Sequence, residues 1–206
     1  MLAEYLRSTG VDDERVLAAF AKVPRELFVP QELHHQSYDD YPLEIGEGQT
    51  ISQPSIVAQM VSLANVAPQD RVLEVGAGSG YLTAILAQLA RFVFALERLP
   101  RLAHAARGRL AQLGYTNVTI QVMDGSLGWR ARAPFEAIIV SAAAPSVPRA
   151  LVEQLSDGGR LVLPVGHLKR QELVRVERHG DRVAETRHGP ATFVPLVGRD
   201  GFPPSE

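Results

Sequence analysis

The 206-residue chain contains no cysteine. Disulfides, thiolate nucleophiles and zinc sites that need sulfur ligands are therefore excluded, and the composition is compatible with a reducing compartment. Long apolar runs are also missing: no stretch reaches the ~18 residues typical of a membrane span, and the N-terminal MLAEYLRSTG carries Glu4 and no long apolar core. We therefore expect neither a membrane helix nor a secretory signal, and a cytoplasmic location.

Charge of one sign is scarce as well. Lys and Arg total 21, Asp and Glu total 23, and the net charge is -2 at pH 7. The basic residues are spread along the chain, so no polycationic surface is expected to bind nucleic acid or a membrane. A chain of this length can bury roughly 70% of its unfolded surface, enough for one core. We expect one monomeric domain over 1–206, with an N-terminal helical segment (1–67) and an α/β core (68–206).

The hydrophobic pattern changes period along the chain. Apolar residues at helical spacing predict helices over 11–23 and from Pro54 onward, and after Pro68 short apolar runs alternate with helices. Strands are predicted at 71–75, 92–96, 117–123, 135–140, 159–165, 172–178 and 191–196, with helices at 81–89, 100–113 and around 147–155. This alternation predicts an α/β fold with a doubly wound, mostly parallel sheet. The late segments are predicted to be antiparallel, because their connection is too short for a crossover helix.

A glycine-rich loop, EVGAGSGY, lies between a predicted buried strand and a helix. Gly76, Gly78 and Gly80 permit a tight turn and close approach of a ligand, and the free N–H groups of the helix favour a polar or anionic group. A dinucleotide fingerprint would place glycine at 81, where this chain has Tyr81, so bound NAD is not favoured. A plain strand-to-helix turn is the alternative, but the flanking pattern favours binding.

Acidic residues follow the next two predicted strands. Glu97, at the carboxyl edge of the sheet, is placed to accept hydrogen bonds from ribose hydroxyls, although an acidic residue also suits the start of the next helix. Asp124 with Gly125 follows the third strand, either to contact an adenine amino group or only to begin a turn. Together with the glycine loop, they predict an adenosine-containing cofactor at the switch point of the sheet.

Several segments carry a resemblance to a known family. They are YPLEIGEGQTISQPSIVAQM, VLEVGAGSGYLTAILA, MDGSLGW, APFEAIIVSAAAPSVP, LSDGGRLVLPVG and FVPLVG. From about Val23 to Gly198 the chain strongly resembles protein-L-isoaspartate O-methyltransferases, and GQTISQP is far more specific to them than the glycine loop. Departures are few: Glu44 stands where proline is common, and Ser141 where threonine is common.

The resemblance implies a seven-stranded, Rossmann-like methyltransferase sheet with a late antiparallel strand and N-terminal helices. It also implies S-adenosylmethionine as cofactor, isoaspartyl residues of damaged proteins as methyl acceptors, and Ser52 as the catalytic residue. The candidate cofactor-binding residues are Thr50, Ile51, Ser52, Glu74, Gly76, Gly78, Gly80, Glu97, Asp124 and Gly125. No metal site is expected, and the adjacent His34 and His35 are interpreted as surface residues.

The residues alone leave the role of Ser52 open. A serine hydroxyl can donate a hydrogen bond to an acceptor carboxylate and so orient it. Alternatively, Ser52 or Gln53 caps the helix that Pro54 begins. Composition alone favours the cap, and the resemblance reverses that preference.

An acceptor groove is expected between the Tyr38 to Ser52 loop and the FVPL segment. Leu43, Ile45 and Val194 either line it or belong to the core. Three rival functions remain. A dehydrogenase would use the same sheet, but this chain lacks the usual third glycine. A methyltransferase for small molecules or RNA would share the cofactor site, and a binding module would keep the cofactor and modify nothing.

Overall fold

Six α-helices and nine β-strands make up the part of the chain, residues 2–167 and 170–204, that the computed structural model describes. The helices are α1 (Leu2–Ser8), α2 (Glu14–Lys22), α3 (Pro54–Ala64), α4 (Tyr81–Leu89), α5 (Pro100–Gln112) and α6 (Arg149–Val152). The strands are β1 (Leu43–Gly46), β2 (Gln49–Ile51), β3 (Arg71–Val75), β4 (Phe92–Glu97), β5 (Val118–Val122), β6 (Phe135–Val140), β7 (Leu155–His167), β8 (Arg170–His179) and β9 (Arg182–Ala191). Short 3-10 helices lie at Arg25–Phe28, Gln31–Gln36, Gly125–Leu127 and Arg130–Arg132.

Seven strands form the central sheet in the order β5-β4-β3-β6-β7-β8-β9. Neighbours from β5 to β7 pair in parallel, whereas β8 is antiparallel to both β7 and β9. The chain moves outward from β3 to β5 and then returns to β6, so the switch point lies between β3 and β6. The expected doubly wound, mostly parallel sheet with a late antiparallel strand is confirmed.

Both faces of the sheet are covered, which explains why its central strands carry apolar residues on both faces. Successive residues alternate between two hydrophobic clusters: Val72 and Val93 face one, and Leu73 and Phe94 face the other. The first cluster also contains buried residues of the N-terminal helices. The 1–67 segment therefore packs directly onto the α/β core.

Helix α2 brings the N-terminal segment to the glycine loop. Its start is capped by Asp13, whose carboxylate accepts the Arg15 N–H. On its buried face, the Phe20 ring packs nearly perpendicular to the ring of Tyr81, the first residue of α4, with the ring centroids 6.2 Å apart. The helix predicted over 11–23 is observed over 14–22, so most of the difference is at its N-terminal end.

The prediction of a strand at 191–196 is wrong. Strand β9 ends at Ala191, and the following segment joins the sheet only through an isolated bridge between Pro195 and Ala143. Most of β9 is exposed and polar, so no apolar alternation marks it as a strand. The FVPL run is apolar because it packs beside the carboxyl end of β6, where Ala143 donates to the Val194 carbonyl.

Two further features differ from the sequence patterns. Residues 43–51 form a small antiparallel hairpin, β1–β2, where a loop was expected. The helix predicted around 147–155 is confined to α6, four residues long. Over the described residues, no helix is both long and apolar enough to cross a lipid bilayer.

Candidate active site

A cleft of about 350 Å³ opens at the carboxyl edge of the sheet, beside the switch point. We call it the main cleft. It is lined by Gly48–Ser52, Val57, Glu74–Ser79, Tyr81, Leu82, Leu96–Leu99, Gly125, Ser141, Ala142 and Val194–Val197. Ligands of open α/β sheets bind at this position, so the topology alone makes it the candidate site.

The glycine loop forms the floor of the main cleft. Gly76, Gly78 and Gly80 have φ values of 88°, 52° and 87°, a left-handed backbone that residues with a Cβ rarely adopt. Gly76 and Ala77 both donate to the Leu96 carbonyl, which ties the loop to the end of β4. The loop is therefore a tight turn fixed to the carboxyl edge of the sheet.

Gly80 has a different task and does not line the cleft. A Cβ at this position would lie 3.2 Å from the Ala106 Cβ and 3.3 Å from Leu110. The missing side chain thus allows α4 to pack closely against α5. By contrast, a Cβ at Gly78 would meet only the Ile45 side chain, at 3.3 Å, on the β1–β2 hairpin that walls the cleft.

Glu97 ends β4 and joins two pieces of the site. One carboxylate oxygen accepts the Gly78 N–H and the other accepts the Leu99 N–H, each at 2.9 Å. Glu97 therefore supports the start of α5, as one interpretation expects, and it also lines the main cleft, where its bonds to ribose hydroxyls stay a prediction. Each oxygen keeps lone-pair capacity for a hydroxyl donor.

Glu74 is fully buried in the wall of the main cleft. Its Oε2 accepts the Thr83 hydroxyl, and its Oε1 has no hydrogen-bond partner among the described residues. Burial raises the pKa of Glu74 to about 8, with the negative charge of Glu97 acting in the same direction and the Thr83 hydrogen bond opposing it. Glu74 is therefore mostly protonated at neutral pH.

Asp124 and Gly125 are neighbours in the chain but line two different depressions. Gly125 lines the main cleft, where a Cβ would lie 2.4 Å from Val75 Cγ1. Asp124 instead lines an adjoining depression, and its carboxylate accepts the Ser126 and Arg199 backbone N–H groups and the Ser126 hydroxyl. Partial burial acts to raise the pKa of Asp124, but these hydrogen bonds outweigh it and hold the pKa below its usual value.

Ser52 follows β2 at the mouth of α3 and is half-buried in the cleft wall. Its hydroxyl makes no hydrogen bond to any part of the chain that the structure describes. The cap of α3 comes from Asp40: one carboxylate oxygen accepts the Ser55 N–H at 2.9 Å, and the other accepts the Ser55 hydroxyl at 2.7 Å. Gln53 occupies the N-cap position without a side-chain cap bond. The capping alternative for Ser52 and Gln53 is therefore excluded.

Most of the remaining candidates line the main cleft together with Ser52. Thr50 and Ile51 line the main cleft from β2, and Val194 lines it from the opposite wall. Leu43 is a core residue, whereas Ile45 is partly buried and packs beside Gly78. Every candidate cofactor-binding residue except Gly80 and Asp124 thus borders one cleft.

Comparisons with known proteins agree with this geometry. The family described as protein-L-isoaspartate(D-aspartate) O-methyltransferase matches residues 1–201. The chain is 51% identical to the protein-L-isoaspartate O-methyltransferase of Protochlamydia amoebophila (strain UWE25), over 98% of this chain and 97% of that protein. This chain belongs to the protein-L-isoaspartate O-methyltransferase family. The family predicted from the motifs is confirmed.

Solved structures of the same family share the fold. A protein-L-isoaspartate O-methyltransferase superimposes with a TM-score of 0.86 at 28% identity, over 97% of this chain and 66% of that chain. A second, from Plasmodium falciparum and in complex with S-adenosyl-L-homocysteine, gives a TM-score of 0.84 at 28% identity, over 95% of this chain and 96% of that one. The chain therefore spans about two thirds of the first structure and nearly all of the second.

Two residues that the sequence analysis did not identify, Asp40 and Arg25, support the main cleft from outside its lining. Asp40 caps α3 from a loop, and Arg25 holds the Ser52 carbonyl at 2.8 Å. No local pattern marks either contact, because the partners are distant in the chain. His34 and His35 are exposed, as expected, and within residues 2–167 and 170–204 no group of three or more His, Asp or Glu is arranged to hold a metal ion.

Proposed function

We propose that the main cleft performs the reaction of this family, with Ser52 orienting the methyl acceptor. The chain is an S-adenosylmethionine-dependent protein carboxyl methyltransferase. It methylates the free carboxylate of L-isoaspartyl residues, and the ester initiates repair of the damaged protein. The observation that carries the role of Ser52 is a hydroxyl at the cleft wall that the helix behind it does not use, because Asp40 supplies the cap.

The cleft residues fit S-adenosylmethionine. The left-handed backbone at Gly76 and Gly78 leaves space for the cofactor, and the Glu97 oxygens are available to ribose hydroxyls. The unpartnered Oε1 of Glu74 is a buried polar atom that a bound ligand can satisfy. We assign Thr50, Ile51 and Gly125 to the lining of this site, with Asp124 and Gly80 shaping it from outside.

The acceptor needs no general base. An isoaspartyl carboxylate with an ordinary pKa of about 3.9 is already ionised at neutral pH. When bound, S-adenosylmethionine supplies a methyl carbon on a positively charged sulfur, which keeps the bonding electron pair as the carboxylate oxygen attacks. The task left to the chain is orientation, which can lower a barrier by up to ~7–11 kcal/mol.

Ser52 is placed to provide part of that orientation. Its hydroxyl donates one hydrogen bond to the acceptor carboxylate without competing as a base. The opposite wall, Val194–Val197, is held by backbone hydrogen bonds to Ala143, so an extended peptide has a rigid surface to lie against. Recognition then depends on backbone shape more than on neighbouring side chains.

A paired-peptide methylation assay tests this function. The purified chain is given radiolabelled S-adenosylmethionine with an isoaspartyl peptide, its normal aspartyl twin, or RNA. We expect methyl ester on the isoaspartyl peptide alone. Equal labelling of both peptides would contradict the proposed specificity, labelled RNA would favour a nucleic-acid methyltransferase, and cofactor binding without transfer would favour a binding module.

The role of Ser52 is tested by Ser52→Ala. Because a hydrogen bond to a charged group contributes about 1.5–3 kcal/mol, we expect kcat on the isoaspartyl peptide to fall roughly 10-fold to 100-fold. Affinity for S-adenosylhomocysteine should stay within about 2-fold. Ser62→Ala is the matched control, since Ser62 lies further along α3 with a buried hydroxyl that has no partner in the described chain. Unchanged turnover in Ser52→Ala would remove Ser52 from the catalytic group.

We also propose that the chain acts as a monomeric, single-domain protein in the cytoplasm, without nucleic-acid or membrane partners. The absence of cysteine is compatible with a reducing compartment, and the net charge of -2 offers little attraction to polyanions. Fractionation of cells producing the tagged chain tests the location, and recovery in the membrane pellet would contradict it.

A further inference from the structure

Arg25 is a fully buried cation behind the acceptor side of the main cleft. Its Nε donates to the Ser37 carbonyl at 2.7 Å, and its Nη2 donates to the Ser52 carbonyl at 2.8 Å. The guanidinium carbon lies 5.0 Å from the centroid of the Tyr81 ring. One side chain therefore touches three separate segments of the site.

No carboxylate forms an ion pair with Arg25 in the part of the chain that the structure describes. Burying an unpaired cation is unfavourable, and a buried apolar residue of similar size would avoid that cost. In return, Arg25 contacts two backbone carbonyls and one aromatic face, and these contacts fix the relative positions of the groups it touches. A planar guanidinium can satisfy these three together, whereas the single ammonium of lysine cannot reproduce the fork.

The three segments are those whose relative position methyl transfer requires. Ser37 follows the 3-10 helix at Gln31–Gln36 and begins the segment Ser37–Ser52, which carries the β1–β2 hairpin and which we call the acceptor loop. Ser52 ends that loop, and its own side chain lines the main cleft. Tyr81 comes directly after the glycine loop and lines the same cleft. Arg25 thus joins the acceptor side to the cofactor side from behind.

We infer that Arg25 is a positioning residue for methyl transfer, which holds the Ser52 backbone against Tyr81 and so sets the direction of the Ser52 hydroxyl relative to the cofactor loop. The inference rests on the proposed role of Ser52. A second anchor, the Asp40 bonds to Ser55, fixes the chain on the other side of Gln53 and Pro54. Because Ser52 and Ser55 are both anchored, the start of α3 cannot move to compensate for a small shift of the Ser52 backbone.

The test compares Arg25→Lys with Arg160→Lys. Arg160 is the matched control, because its guanidinium also holds two backbone carbonyls, those of Ala64 and Asn65, but at the opposite end of α3 and paired with Asp70. Both variants should lower the melting temperature. Only Arg25→Lys should lower kcat on the isoaspartyl peptide, by roughly 10-fold to 100-fold, as misplacement of a reacting group by about 1 Å can do. Its KM and its affinity for S-adenosylhomocysteine should stay within about 2-fold.

A double-mutant cycle separates this inference from the role of Ser52. If Arg25 acts through Ser52, adding Arg25→Lys to Ser52→Ala should lower kcat by less than about 2-fold more. Multiplicative losses would overturn the inference, and so would equal kcat losses in Arg25→Lys and Arg160→Lys. Wild-type turnover in Ser52→Ala alone would refute the role of Ser52, and a kcat loss in Arg25→Lys would then have to arise elsewhere. If Arg25→Lys does not fold, Arg25→Gln, which keeps one amide donor, is assayed in the same cycle with the same criteria.

Discussion

Two carboxyl groups, Glu74 and Glu97, line the main cleft, and they differ in their hydrogen-bond partners. Glu97 accepts two backbone N–H groups, so its negative charge is supported by fixed dipoles. Glu74 is buried with one hydroxyl donor and one unpartnered oxygen, and it keeps its proton to about pH 8. The cleft therefore holds less negative charge at neutral pH than its sequence suggests.

This difference predicts a pH dependence of stability. The folded pKa of Glu74 is about 8, whereas an unfolded glutamate has a pKa of about 4.3. Between these values the folded state binds the extra proton, so the stability of the cofactor-free protein should fall as pH rises through this window. Glu74→Gln cannot ionise, and its melting temperature should fall less between about pH 5 and about pH 8. Parallel melting curves for wild type and Glu74→Gln across this range would contradict the burial of an ionisable Glu74.

At the scale of elements, the start of α3 is the junction on which the site depends. Pro54 occupies the first turn, where its missing N–H has no cost, and the next donor, Ser55 N–H, reaches the carboxylate of Asp40. Asp40 also accepts the Tyr5 hydroxyl from α1 at 2.8 Å. The N-terminal helix, the acceptor loop and α3 are thus joined by one side chain.

Removing this cap should destabilise the protein. Asp40→Ala is expected to lower the free energy of unfolding by about 1 kcal/mol, the usual cost of a lost helix cap, as measured by urea denaturation at pH 7. Asp39→Ala is the control, because the exposed neighbour Asp39 accepts, among the described residues, only the Tyr41 hydroxyl at 3.2 Å, and the loss of free energy of unfolding should stay within about 0.5 kcal/mol. Similar losses in both variants would contradict the capping role of Asp40.

At the scale of the whole molecule, the main cleft is built by one chain. The N-terminal segment supplies Gly48–Ser52, and the α/β core supplies the glycine loop, Glu97 and the Val194–Val197 wall. Because described residues of one copy line this cleft, the proposed monomer has a formed site. Light scattering on a gel-filtration column should give a mass near 22.4 kDa, with or without S-adenosylhomocysteine. A mass near twice that value would contradict the proposed monomer.

The parts of the fold that were predictable are those that local patterns encode. The bounds expected for β3, β6 and α4 agree with the structure, since each is a largely buried apolar run that the local sequence shows directly. Strand β9 was missed because it is an exposed edge strand without apolar alternation. The FVPL segment was misassigned because its apolar side chains pack at the end of the sheet and not within it.

The sequence by itself determined the parallel sheet, the glycine loop with Glu97 at its edge, and the family, because each depends on residues close together in the chain. Only the tertiary structure decided that Asp40 caps α3 across 15 residues and that Arg25 holds Ser52 across 27. It also decided that Gly80 lies against α5 and that Asp124 accepts the Arg199 N–H of the C-terminal segment. Such contacts depend on which distant segments packing brings together, and no local spacing encodes them.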